Sequence, residues 1–293
     1  MVTEQQTLDL ACLEGYKWFE NGQSAFSGKA LRLFRRLDLL FLSWAEEFQA
    51  GQYQFPTFIA ASELAKLDYF ASFPQLVTLP VTLQPSDENL ERFAKGKTLD
   101  GRGNVNLTKL APVRDVLTPA ACYHFYIDMQ GSSLKESRHV TTRATCFRKE
   151  SCYLPLQRQW TFSMREIVCI GSADEVTSFL KDARQRVTRF FEDTGLPIKW
   201  LGATDPFFKP SQNPKYLMQK LDPVKTEMVF ADSLAIGSVN FHRNYFGETF
   251  QILRNAEDAY SGCVAFGLER WMYACLSHFG LDEASWPLPE LKA

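Results

Sequence analysis

Apolar residues recur at three- and four-residue steps between positions 25 and 48: Leu31, Phe34, Leu37, Phe41, Trp44 and Phe48. That spacing predicts a helix with one apolar side. Its other side carries Lys29, Arg32 and Arg36, with Arg35 beside them, and reads as a solvated face or as a dock for an acidic partner. A second helix is predicted over 174–193. Ser172 with Glu175 resembles a capping box, Val176, Phe179, Leu180, Ala183, Val187, Phe190 and Phe191 supply the stripe, and Gly195 and Pro197 end it. Residues 84–112, rich in Gly, Pro, Asn and Lys, predict a loop or hairpin. Strands are predicted over 120–129, 143–150, 160–170, 226–231, 234–241, 247–253 and 261–266, a short helix over 214–221, and a last helix over 267–279. The strands outnumber the helices and are not regularly separated by them. This predicts an α+β fold, an antiparallel sheet with helices packed against it, rather than a doubly wound sheet.

Composition narrows the function. The chain has 293 residues, 32 basic against 34 acidic, with 45% hydrophobic residues. That is ordinary globular composition, long enough to bury a core without staples. Near-zero net charge argues against a generic nucleic-acid binder. The N-terminal stretch MVTEQQTLDLACLEGYKWFE has early acidic residues and no basic region before an apolar run, so no signal peptide is expected. No membrane span is expected either. Seven cysteines, odd in number, scattered and without a CxxC pair, fit a reducing compartment, and a cytoplasmic location is expected.

Several polar residues stand out against the apolar pattern. In ATCFRKE, strand alternation puts Cys146, Arg148 and Glu150 on one face. They form either a solvated face or the floor of a polar site, with a guanidinium for a phosphate and a carboxylate for an amine. In WTFSMREIVCIG, Phe162, Met164, Glu166, Val168 and Ile170 share a face, so Glu166 is a carboxylate among apolar neighbours and needs a partner or a metal. Phe162 is either core packing or a stacking platform for a planar base. Cys122, read in an apolar strand two positions from His124, and Cys263 in SGCVAFG are either inert core thiols or ligands. If Cys122, Glu166 and Cys263 meet, two thiolates and a carboxylate suit zinc with a fourth position open. Arg270, three residues after Gly267, falls where a helix start would meet a phosphate.

Taken together, these segments resemble the catalytic core of class II aminoacyl-tRNA synthetases, nearest the seryl type in its zinc-containing archaeal form. ATCFRKE resembles motif 2, with Arg148 and Glu150 as its Arg-x-Glu, and LQRQWTFSMREIV resembles the strand that closes it. GCVAFGLERW resembles motif 3, with Arg270 as its arginine. GSVNFHRNYFG resembles the stretch before motif 3, with Ser238 and Asn240 near ATP and substrate. Motif 1, a dimer-interface helix and strand with a proline, is placed at ELAKLDYFASFP, ending at Pro74. The matches span about residues 115–280. They imply residues 1–110 as an α/β region packed on the core and 111–293 as the core itself.

The N-terminal part shows no long heptad hairpin, so a tRNA acceptor is not expected. The chain resembles instead the truncated seryl-type homologues that act as amino acid:[carrier protein] ligases. The resemblance implies activation of a small amino acid, glycine or alanine, by ATP and its transfer to the phosphopantetheine thiol of a carrier protein. It implies Zn²⁺ on Cys122, Glu166 and Cys263 holding the amino group, and Mg²⁺ on the ATP phosphates, with Asp232 or Glu227 as the nearest acids. Arg148 would bind the α-phosphate and the substrate carboxylate, Arg270 the γ-phosphate, and Glu150 adenine N6, while Phe162 would stack on the ring. An acidic carrier would dock on Lys209–Lys225 or on the Lys29–Arg36 face, and a homodimer is expected. Rival readings are a related enzyme charging a tRNA or a small molecule, a non-catalytic binding paralogue, and a zinc hydrolase. The last is disfavoured because His-rich ligand spacing is absent.

Overall fold

The architecture follows from strands that are amphipathic on two faces. The computed structural model describes residues 8–291; the first residues of the stretch read for a signal peptide lie outside them. A seven-stranded sheet is built from β1 (Gly51–Tyr53), β2 (Arg138–Phe147), β3 (Thr161–Gly171), β4 (Ile198–Gly202), β5 (Lys225–Phe230), β6 (Leu234–Arg243) and β7 (Tyr260–Gly267). Their spatial order is β1-β2-β3-β7-β6-β5-β4. Every pairing is antiparallel except β1 on β2. The fold is therefore α+β, an antiparallel sheet flanked by helices.

Three helices supply the larger core: α1 (Gly28–Glu47), α3 (Ala173–Thr194) and α5 (Leu268–Phe279). Alternation on β3 splits its residues, so that Ile167 and Cys169 enter this helical core while Val168 and Ile170 enter a second cluster with Phe125, Tyr126, Phe246 and Phe250. On α1 the buried stripe is Ala30, Leu33, Leu37, Leu40, Phe41, Trp44 and Ala45, displaced from the predicted one at its N-terminal end. On α3 the buried residues are those of the predicted stripe, the Ser172–Glu175 capping box forms, and Gly195 closes the helix at φ 72°.

Two predicted strands are helical. Residues 123–128 form α2 (Tyr123–Asp128), with Cys122 as its N-cap, and residues 245–250 form a short helix before a two-residue strand at Leu253–Arg254. Both stretches are aromatic-rich and read as strands by propensity. In the fold their aromatic residues stack across the two helices instead, Tyr126 on Phe246 at 3.8 Å. The stretch ending at Pro74 forms two short helices, Ala61–Lys66 and Tyr69–Ser72.

Part of the basic face of α1 is spent inside the molecule. Arg36 is buried and donates to the carbonyls of Trp286, Leu288 and Pro289 at 3.3, 2.6 and 3.0 Å. Arg32 pairs with Glu283 at 2.8 Å. These two residues clamp the C-terminal segment, while Arg35 beside them is exposed. Among the described residues no helix is long and apolar enough to cross a membrane.

Candidate active site

Side chains directly opposite on neighbouring strands share a face, so the register of the sheet assembles the site. One row runs Glu166, Ala265, Ser238, Glu227 across β3, β7, β6 and β5. The next runs Val168, Cys263, Asn240, Lys225. Above them lies a cavity of about 640 Å³, lined by all nine residues singled out in the sequence: Cys122, Arg148, Glu150, Phe162, Glu166, Ser238, Asn240, Cys263 and Arg270. Gly237 permits the close packing beneath, since a Cβ there would meet the Ala265 carbonyl at 2.6 Å.

One end of the cavity is cationic. Arg148 follows directly on β2, donates its Nε to the Pro119 carbonyl at 2.9 Å, and holds its guanidinium 5.3 Å from the centre of the Phe162 ring. The Phe162 face thus carries a cation–π partner. Arg270, in the first turn of α5, donates to the carbonyls of Gln157 and Ala235 at 2.7 and 2.8 Å. Burial, together with the like charge of Arg148, lowers its pKa. Glu150 lies in the loop beyond β2, 4.0 Å from Arg158. Glu269, next to Arg270, receives the Ser163 N–H at 2.9 Å, and burial pushes its carboxyl up to about 7.

The other end is acidic. Glu166 accepts from the Ala121 N–H at 3.2 Å through Oε1, while Oε2 is buried with no hydrogen-bond partner. Burial and the neighbouring Cys263 push this carboxyl up to about 8. Cys263 accepts from Asn240 Nδ2 at 3.3 Å and faces His242 Nε2 at 3.6 Å. Its hydrogen bond with Cys122, aided by His242, holds its thiol well below the ordinary value, whereas the same bond and burial drive Cys122 well above. Tyr123, Phe246 and His242 crowd this end, with ring centres 6.0 and 5.0 Å apart.

The metal expectations are corrected here. Cys122, Glu166 and Cys263 do converge, but among the described residues no group of three or more His, Cys, Asp or Glu side chains is placed to hold a metal ion. Cys122 caps a helix instead of lying in a strand. The zinc expectation fails on this ground. So does the magnesium one: Asp232 is exposed and paired with Lys199 at 2.5 Å, and Glu227 is paired with Lys225 at 3.2 Å.

Pattern reading missed several lining residues. Asp205 is gripped by Lys225 at 3.0 Å and Gln219 at 2.9 Å. Burial alone would raise this carboxyl, but Lys225 and Gln219 outweigh it and hold it below the ordinary value. Tyr69 and Tyr123 also line the cavity. Of these, only Lys225 and Glu227 carry a local signal, their alternation on β5. His124, read beside Cys122, turns away to the Phe58 carbonyl at 2.9 Å.

The class II core domain model of tRNA synthetases (G, H, P, S and T) matches residues 116–279. Amino acid--[acyl-carrier-protein] ligase 1 of Bradyrhizobium diazoefficiens is 34% identical over 242 residues, covering 80% of this chain and 73% of that protein. Ligase 2 of the same organism is 33% identical over 243 residues, 80% and 72%. The type-2 serine--tRNA ligase of Methanococcus maripaludis is 24% identical, over 94% of this chain and 57% of its own. Among solved structures, M. kandleri SerRS in complex with A. aeolicus tRNASec matches 93% of this chain with a TM-score of 0.75 at 20% identity, and the chain spans 56% of that protein. With the family model spanning more than half of it and the antiparallel sheet carrying its residues into one cavity, the chain belongs to the class II tRNA synthetase core family.

Proposed function

We propose that the chain is an ATP-dependent amino acid:[carrier protein] ligase. It activates a small amino acid, glycine or alanine, and passes it to the phosphopantetheine thiol of a carrier protein, with residues 111–293 as the catalytic core and a homodimer as the working form. One observation carries the reading: a single cavity with acceptors at one end, Cys263 Sγ and the Glu166 Oε2 that has no hydrogen-bond partner, and cations at the other, Arg148 and Arg270. An amino acid is a zwitterion, and it fits this polarity with its ammonium at the first end and its carboxylate at the second. The crowding by Tyr123, Phe246 and His242 favours a small side chain. The relatives in Bradyrhizobium diazoefficiens bear the corresponding ligase name.

In the first step the substrate carboxylate attacks the α-phosphorus of ATP and pyrophosphate leaves. The carboxylate is already ionised at neutral pH, so no general base is needed. Arg148 holds the attacking carboxylate and stabilises the charge that builds on the α-phosphoryl oxygens. Arg270 holds the outer phosphates, Glu150 accepts from adenine N6, and Phe162 stacks on the ring. Ser238 and Asn240 position the substrate. In the second step the carrier thiol attacks the adenylate carbonyl, the thiol proton departs to solvent and AMP leaves. The carrier docks beside Pro214–Leu221 (α4) on the 209–225 segment, where the exposed Lys209 and Lys220 complement an acidic partner.

The test is ATP–pyrophosphate exchange across the twenty amino acids. Exchange is expected with glycine or alanine, and Arg148→Ala should slow single-turnover adenylate formation roughly 10²–10³-fold, the scale of losing one key donor. No exchange with any amino acid, or an unchanged rate in Arg148→Ala, overturns the proposal.

A further inference from the structure

The loop between β2 and β3 holds a strained residue at its centre. Leu156 adopts the left-handed conformation, φ 57°. Glycine takes that conformation freely, whereas a leucine stays in it only where its surroundings hold it. Here the surroundings are the core: Leu156 is fully buried and belongs to the cluster that α1, α3 and α5 supply. Two mutual hydrogen bonds close the turn around it. Leu154 N–H donates to the Arg158 carbonyl at 2.8 Å, and Arg158 N–H to the Leu154 carbonyl at 2.9 Å. The ends of the loop are fastened too. Lys149 N–H donates to the Leu76 carbonyl at 3.1 Å, Trp160 N–H to the Gly22 carbonyl at 2.8 Å, and Trp160 Nε1 to Thr78 Oγ1 at 3.0 Å.

The carbonyl that follows this turn meets the cationic end of the cavity. Gln157 O accepts from Arg270 Nε at 2.7 Å, and Ala235 O accepts from Arg270 Nη1 at 2.8 Å. A guanidinium presents its donors in a rigid fork, so two fixed carbonyls set its plane and leave the rest for a ligand. Ala235 is held by the sheet, as a residue of β6 paired with Val229. Gln157 lies outside the strands, so its place is set by its neighbours in the loop. The tie has a load to bear, because the like charge of Arg148 acts on Arg270 across the same cavity.

We infer that Leu156 is a positioning residue for the outer phosphates of ATP: its buried side chain pins the left-handed turn that presents the Gln157 carbonyl to Arg270. The inference rests on the assignment of those phosphates to Arg270 made above. Two observations set Leu156 apart from ordinary packing. A leucine that serves the core alone has no need of a strained backbone. Leu156 also lines the cavity while it fills the core, so it stands at the boundary between the two.

The test reads binding, not turnover. Calorimetry with ATP alone and with AMP alone measures the affinity of each variant, with circular dichroism as the check on folding. Leu156→Ala removes the plug. It is expected to weaken ATP roughly 10–100-fold, the scale of one hydrogen bond to a charged group, and to leave AMP, which lacks the outer phosphates, near its original affinity. In an Arg270→Ala background, itself weak for ATP, the same change should cost nothing further. Leu156→Met refills the volume and should bind ATP as the wild type does. Leu156→Ile keeps the volume but, being β-branched, resists a positive φ, and should weaken ATP as alanine does; it decides the matter if the alanine variant does not fold. Unchanged ATP affinity in the alanine and isoleucine variants, or in Arg270→Ala, overturns the inference. So do equal losses for ATP and AMP, full additivity with Arg270→Ala, or a methionine variant as weak as alanine. Wild type that binds ATP with the predicted variant pattern, yet exchanges pyrophosphate with no amino acid, would instead fell the proposed activity and spare the inference.

Discussion

Glu166 commits Oε1 to the Ala121 N–H and leaves Oε2 buried and unpaired in the cavity that Cys263 also lines. An arriving ammonium supplies the missing donor, and a charge-assisted hydrogen bond of this kind contributes ~1.5–3 kcal/mol. Glu166→Gln keeps the shape and exchanges the acid for a neutral amide that cannot ionise when an ammonium arrives. It is expected to raise the amino-acid KM roughly 10–100-fold and leave the ATP KM near its original value, as exchange kinetics will measure. Equal effects on both substrates would remove Glu166 from amine recognition. Much of this was legible in the sequence: alternation along WTFSMREIVCIG aims Phe162, Met164 and Glu166 at one side, and the cavity lies there. Cys122 was half legible, its convergence with Cys263 real but its strand and its metal wrong. Asp205 and Tyr69 were not legible, because they arrive from irregular segments where no period says which way a side chain points.

At the scale of single elements, α3 shows how local chemistry fixes a helix under the sheet. Glu175 closes the capping box and also pairs with Arg254 at 2.8 Å. That hydrogen bond, with the cap, lowers its pKa to about 2. A carboxyl whose folded value is depressed stabilises the fold above its unfolded value, near 4.5, and loses that contribution as pH falls toward 2. Urea unfolding should therefore show stability falling through this window, and falling less steeply in Glu175→Gln, which is also less stable at neutral pH. Identical pH profiles would exclude the pair as a contributor; since Glu175 is largely solvated, the effect is a modest one. The helix was legible because cap, stripe and stop signals agree. Residues 123–128 and 245–250 were not, since aromatic runs favour strands locally and only tertiary stacking makes them helical.

For the molecule as a whole, the sheet acts as a loom. Its register brings residues from 166 to 265 into two rows over one cavity, while α1, α3 and α5 back it with a core. The order of strands predicted that antiparallel layout, but not the parallel edge strand β1, three residues long and too short to carry a period. The polarity of the cavity is the claim on which the function rests, and carrier loading tests it most directly. Labelled glycine or alanine, ATP and a phosphopantetheinylated acyl-carrier protein should yield AMP and a thioester that hydroxylamine cleaves, releasing the label as the hydroxamate and freeing the carrier thiol, while tRNA in the same mixture stays unlabelled. Labelled tRNA with an unlabelled carrier, or no labelled acceptor at all, would contradict the account.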